Sequence, residues 1–261
     1  MITRIAFLLV FIWALPFSIE NKEAFPINID FFEVDVIGNL YFAKDAEIRK
    51  YNSNGELLNT YSDLSYGSVT TLDVSDAMNI LVYYRDFNKI VMLDNKLSIK
   101  NSPIDLIDLG YAETNFACLS YNNGIWIFDP VGQELLRFNQ LLENTDRTGN
   151  LSSLTSYSLN PVQIIERDNQ LVLRDNENGI FVFDRYGGYI RRLPFFNFDD
   201  LFIRSNSWQM LRNDTNFIFN PITLNMDTIP LPYSQIAEFR INDNAYYIRF
   251  KDKSFVRKLV K

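Results

Sequence analysis

Phe32-Glu33-Val34-Asp35-Val36-Ile37-Gly38-Asn39-Leu40-Tyr41-Phe42-Ala43-Lys44-Asp45 begins in one strand-like stretch and ends in another. Between them lies Ile37-Gly38-Asn39. Glycine supplies the positive φ that a tight reversal needs, and asparagine can bond its own backbone. Further on, Glu47 to Tyr51 reads as a third strand, Asn52-Ser53-Asn54-Gly55 as a second turn, and Leu57 to Tyr61 as a fourth strand. Four short strands joined by tight turns make an antiparallel meander.

The same grammar recurs along the chain. A second group runs Val69 to Val74, Ile80 to Tyr84, Lys89 to Leu93 and Leu97 to Lys100. A third runs Ile104 to Leu109, Phe116 to Tyr121, Gly124 to Phe128 and Glu134 to Phe138. The fourth is Val162 to Glu166, Leu171 to Arg174, Gly179 to Phe183 and Tyr189 to Leu193. The fifth is Asp200 to Arg204, Trp208 to Leu211, Asn216 to Phe219 and Asp227 to Leu231. A sixth has three strands, Ile236 to Ile241, Ala245 to Phe250 and Phe255 to Leu259. An internal marker closes the third strand of each group, as in Lys50-Tyr51-Asn52-Ser53-Asn54-Gly55, Phe128-Asp129-Pro130-Val131-Gly132 and Phe183-Asp184-Arg185-Tyr186-Gly187. Leu93-Asp94 and Phe219-Asn220 are weaker versions.

Meanders repeated at this period are the signature of a β-propeller. The sixth group lacks a fourth strand, and Glu23 to Ile29 has no group of its own. Pairing the two joins the termini and removes an open sheet edge. The predicted fold class is therefore all-β, a six-bladed propeller closed by an N-terminal strand that completes the last blade.

The first group, from Phe32 to Asp45 followed by Ile48-Arg49-Lys50-Tyr51 and Asn54-Gly55, resembles an NHL-type propeller repeat. That family's blades read roughly as apolar-Asp, Gly-Asn, Tyr-Val, then a strand ending in Asp-x-x-Gly. The fourth group matches in part, at Asp168-Asn169-Gln170-Leu171 and Phe183-Asp184, and the others match in spacing. The resemblance implies a six-bladed ring and a binding role. It implies no activity, because one fold hosts many functions.

The N-terminus predicts export. Arg4 precedes an unbroken apolar run from Ile5 to Leu15, Pro16 interrupts it, and Ser18 is a small residue suited to cleavage. The run is shorter than the roughly 20 residues a membrane-spanning helix needs. Residues 1–18 are read as a signal peptide and 19–261 as a single propeller domain, with no transmembrane segment after cleavage. Cys118 is the sole cysteine, so the chain forms no internal disulfide, and no cysteine follows the apolar run to carry a lipid. Its apolar neighbours Phe116, Ala117 and Leu119 predict a buried, inert thiol. With 25 basic against 32 acidic residues and no basic stripe, nucleic acid is excluded as a partner.

The chain contains no histidine. A Ser-His-Asp triad, a histidine base and a histidine-ligated metal are therefore excluded. Each first strand does carry acids: Glu33 or Asp35, Asp73, Asp105 or Asp108, Glu166, Asp200 and Glu238. A ring of such oxygens could hold Ca²⁺. Acids at strand ends also favour turns and water, and we assign no metal site, cofactor or catalytic residue. Phe195, Phe196 and Phe198, with Phe202 just beyond, are the candidate partner-binding residues, because large apolar groups in a connection can anchor another protein. Leu141 to Tyr157 reads as an insertion of polar residues. The expected function is that of a non-enzymatic, exported binding subunit. It would be periplasmic or outer-membrane-associated, docked on a protein of an envelope complex such as the type IX secretion translocon. A calcium-dependent hydrolase or lyase of lactonase-like type is the alternative, as is a carbohydrate-binding propeller using Trp126 and Trp208.

Overall fold

The computed structural model describes residues 28–259 except 205–206 and 242–244. Blade one is built from β1 (Phe31–Val34), β2 (Leu40–Lys44), β3 (Glu47–Tyr51) and β4 (Leu57–Ser62). Blade two has β5 (Thr71–Asp73), β6 (Ile80–Tyr84), β7 (Lys89–Leu93) and β8 (Ile104–Asp105). Blade three has β9 (Ala117–Ser120), β10 (Gly124–Asp129), β11 (Glu134–Phe138) and β12 (Asn144–Arg147), followed by the short helix α1 (Leu151–Thr155). Blade four has β13 (Pro161–Arg167), β14 (Gln170–Asp175), β15 (Gly179–Asp184) and β16 (Tyr189–Leu193). Blade five has β17 (Asp200–Arg204), β18 (Ser207–Arg212), β19 (Thr215–Phe219) and β20 (Met226–Pro230). Blade six has β21 (Ile236–Ile241), β22 (Ala245–Phe250) and β23 (Phe255–Leu259). Every sheet is an antiparallel meander in chain order.

Each sheet is sandwiched between two others, so its middle strands are apolar on both faces. In β6, Ile80, Val82 and Tyr84 pack into the seam with blade one, while Leu81 and Tyr83 pack into the seam with blade three. Such strands read as continuous apolar runs instead of alternating ones. Outer strands such as β20 are exposed throughout. The seam between blades six and one closes the ring through Phe32, Leu40, Phe42, Ala245 and Tyr247, with Phe255 edge-on to Phe32 at 5.0 Å. Ile29 N donates to Lys253 O at 3.3 Å beside β23. The rest of the expected closing strand, from Glu23, lies outside the described residues, as does the expected signal peptide.

Two boundaries differ from the sequence reading. Ile104–Asp105 is the outer strand of blade two, not the first strand of blade three, and it pairs with Lys89 and Ile90. The stretch Leu97 to Lys100 makes only a bridge, Leu93 to Ile99, before Pro103 interrupts the strand. Blade three therefore begins at Ala117, and its outer strand is β12, drawn from the segment expected to be an insertion. The remainder of that segment forms α1, whose Leu151 is buried against the core.

Candidate functional site

The first strands of the blades surround a central cavity of about 380 Å³. Its wall mixes apolar side chains such as Val34, Ile165 and Ile203 with Glu33, Asp73, Arg167 and Arg240. A second cavity of about 370 Å³ adjoins it through Ser75, Arg167 and Asp168. Asn79, Tyr121, Asn122 and Asn169 line that outer space, and all four sit in or beside turns between first and second strands.

The channel acids tie one blade to the next. Asp73 in blade two accepts from the Leu119 amide of blade three at 2.9 Å, and from Arg167 of blade four at 3.1 Å. Glu166 in blade four takes three donors from blade three: Ser120 Oγ at 2.6 Å, Trp126 Nε1 at 2.7 Å and the Tyr121 amide at 3.1 Å. Gln163 donates to Leu201 O of blade five at 3.1 Å. Asp200 in blade five accepts from the Phe239 amide of blade six at 3.3 Å and pairs with Arg240. Glu238 in blade six accepts from the Phe32 amide of blade one at 3.2 Å and from Arg249 at 2.8 Å. Arg240 also reaches Glu33 of blade one at 3.0 Å. Among the described residues the blade sheets share no backbone ladder with one another, and these side chains supply polar links between them.

Burial and pairing set the charge states. Burial pushes the Glu33 and Glu238 carboxyls above the usual carboxylate range, against the pull of Arg240 on Glu33 and Arg249 on Glu238. Burial acts the same way on Asp73, but Arg167 and the Ser75 and Leu119 donors outweigh it, and this carboxyl sits below its usual range. Burial works against the Arg240 cation, yet Asp200 and Glu33 hold it charged well beyond a free guanidinium. Cys118 is buried beside the channel, and burial together with Asp73 and Glu166 raises its thiol far above the ordinary value. That is the inert thiol expected from sequence.

The other predicted site residues are placed differently. Asp35 caps the β1–β2 turn, accepting from the Ile37 and Asn39 amides at 3.0 and 2.8 Å. Asp105 lies on the outer edge of blade two, paired with Lys89, and Asp108 is exposed beyond it, so neither reaches the channel. Among the described residues, no cluster of Asp, Glu and Cys has the spacing to hold a metal ion. Of the aromatic run, Phe198 is buried between blades four and five. Phe195 packs edge-on to Phe219 at 5.0 Å. Phe196 is half-buried beneath Arg192, and Phe202 lines the channel beneath Arg240. The four do not form one exposed patch. Trp126 and Trp208 are also buried in seams, so neither offers a ring face to a sugar.

The marker read at the end of each third strand is a homologous set of capped turns, which the sequence reading misplaced in blade three. Between third and fourth strands, one side-chain oxygen accepts from the amide two residues on: Asn52 from Asn54, Asp94 from Lys96, Asn139 from Leu141, Asp184 from Tyr186 and Asn220 from Ile222. In blade three the cap is Asn139, and Asp129 belongs to the preceding turn. An available signal was the aromatic or leucine that precedes each cap: Tyr51, Leu93, Phe138, Phe183 and Phe219.

No protein-family model matches the chain, and no curated protein matches its sequence. Solved structures do share the fold. A catalytically inactive virginiamycin B lyase from Staphylococcus aureus, determined with quinupristin, superposes with a TM-score of 0.59 at 12% identity, over 88% of this chain and 80% of the lyase. BBS1N in complex with ARL6DN gives 0.57 at 13% identity, over 89% and 78%. PorZ, an essential bacterial surface component of the type-IX secretion system of Porphyromonas gingivalis, gives 0.52 at 10% identity. That match spans 90% of this chain but 37% of PorZ. Likeness at these identities establishes the propeller fold and nothing finer.

Proposed function

We propose that the chain is an exported, non-enzymatic propeller that serves as a docking subunit of an envelope complex. The observation that carries this reading is the use made of the channel acids. Glu33, Asp73, Glu166, Asp200 and Glu238 each bind a residue of another blade, so the channel's charge is spent on holding a rigid disc together. A rigid disc presents its turns without an ordering cost at binding. Export rests on Arg4 and the apolar run that follows it. The NHL-like first blade supports a binding role, as does the solved complex of BBS1N with ARL6DN. The likeness to PorZ supports an envelope setting. Phe196, half-buried on the connection between blades four and five, is the member of the aromatic run that this reading keeps within a partner's reach. Photo-cross-linking of the full chain in native membranes, followed by mass spectrometry, should return one envelope protein. Recovery of no specific protein from any face would sink the reading.

A small-ligand role is the second reading, favoured by the cavity of about 380 Å³, a size at the lower end of small-molecule sites. It covers a calcium-dependent lyase or hydrolase and a carbohydrate-binding propeller. Calorimetry with Ca²⁺ is expected to find no site tighter than about 10⁻⁵ M. A tighter one would move the function toward the enzyme.

A further inference from the structure

The five capped turns between third and fourth strands all lie on the same face of the disc, since odd connections of a meander share one end. The residue whose amide donates to the cap is equivalent in all five. In blades one and two it is Asn54 and Lys96, both polar and exposed. In blades three, four and five it is Leu141, Tyr186 and Ile222, exposed by 77%, 59% and 70%. Turn geometry does not ask for an apolar side chain here, as the first two blades show. Three neighbouring blades nonetheless place one in water at the same spot. Blade four touches both neighbours: a Cβ on Gly187 would stand 3.1 Å from the Arg147 backbone at the end of β12 in blade three, and Arg191 of β16 donates to Pro221 O in the blade-five turn at 2.8 Å.

A cation stands in the middle of this arc. Tyr121 carries two guanidiniums, Arg137 at 3.5 Å and Arg185 at 3.8 Å from the ring centre, distances that put one on each face. Arg137 is fully engaged, with Ser120, Thr145, Asp146 and Tyr121 O. Arg185 meets no carboxylate among the described residues, and its Nε is buried without a partner. The arc's own acids are occupied: Asp146 by Arg137 and Tyr121, and Asp184 by the amides of its own turn. The ring contacts hold Arg185 in place beside Tyr186, whose ring lies 5.7 Å from it. A fixed, unpaired guanidinium beside the exposed ring of Tyr186 is complementary to a carboxylate flanked by apolar side chains.

We propose that this arc of blades three to five docks a protein segment presenting a carboxylate between apolar residues. The inference rests on the docking reading above and adds a second surface to it, on the face opposite the Phe196 connection, with its partner's chemistry.

The test uses the purified full chain and two labelled short peptides, one with Leu and Phe alternating with Glu, the other its twin with Lys. Fluorescence anisotropy should show saturable, salt-sensitive binding of the acidic peptide alone. Arg185→Gln should weaken it about tenfold, the scale of one charged contact. Tyr186→Ser should weaken it as well, whereas Lys96→Gln in blade two should leave it unchanged. Arg185→Lys keeps the charge and serves if Arg185→Gln lowers the melting temperature. Equal binding of the twins, no binding of the acidic peptide, or full affinity in Arg185→Gln overturns the proposal. Cross-linking separates the two levels. A partner recovered equally with wild type and with the Arg185→Gln/Tyr186→Ser double variant removes the arc and keeps docking. The absence of any partner removes docking itself.

Discussion

The seam between blades three and four and the seam between blades five and six are built on different principles. The first packs Trp126, Phe128, Phe181 and Phe183 with a large set of buried aliphatics, and its central polar group, Glu166, has three donors. Among the described residues the second buries Leu211, Ile236, Phe239 and Ile248 within a half-exposed collar. Gln209 and Asn216 lie on the same face of blade five as Leu211, and Gln209 Oε1 and Asn216 Oδ1 are buried with no partner among the described residues. Its main cross-link is the Asp200–Arg240 pair, extended to Glu33 of blade one. One seam is held by shape. The other depends on charge, and charge withdrawn from water is worth little unless it is fully paired.

The largest expected effect tests that dependence. Arg240→Met leaves Asp200 and Glu33 without their cation and should cost about 3–5 kcal/mol, read as a lowered urea midpoint. A loss below that of any blade-four substitution tested beside it would reverse the comparison. Glu166→Gln removes the charge and turns one of the two accepting oxygens into an NH₂ that faces a donor, and should cost about 1.5–3 kcal/mol by the same measurement.

Acid should then separate the two sides of the ring. Asp73 sits below its ordinary 3.8 in the fold, so its contribution is present above that pH and is lost on further acidification. Glu33 sits above its ordinary 4.5, so its contribution is present below that pH and is lost as pH rises through the folded value. In denaturant midpoints taken across acid pH, Asp73→Asn should flatten the fall at the acid end. Glu33→Gln should remove a decline that begins above 4.5. Identical pH profiles for both variants would show that the two sides are not electrostatically distinct.

The smallest effect is a gain. Replacing Gln209 by Met and Asn216 by Leu together removes two unpartnered acceptors and should leave the melting point unchanged or raise it by the equivalent of about 1 kcal/mol. A marked loss would mean that those groups hold water or a partner that matters to the seam.

Blades one, four, five and six were legible from sequence because their inner strands are apolar runs bounded by Gly, Asn and Asp. The slip between blades two and three came from outer strands. Asn144–Arg147 reads Asn-Thr-Asp-Arg, with no apolar residue, because an edge strand is held by pairing and needs no buried side chain. The channel acids were found at Glu33, Asp73, Glu166, Asp200 and Glu238, yet their role was not readable. Their partners are backbone amides such as Leu119 and Phe32, distant in sequence and carrying no residue-type signal. Phe198 looked like an anchor because a run of aromatics in a connection has the same spelling whether it faces a partner or a neighbouring blade.

The two-faced middle strands have a consequence for how the chain finds its pairing. In most sheets a slip of one residue is punished at once, because it sends polar groups inward and apolar groups into water. Here a slip of β6 would exchange Ile80, Val82 and Tyr84 for Leu81 and Tyr83, and either set is content in an apolar seam. The strands therefore carry almost no alignment information of their own. That information resides in the hairpins, where Asp94 or Asp184 can accept its two amides in one alignment and not in the next. The turns act as the chain's punctuation, and a folding error would begin with a misplaced stop.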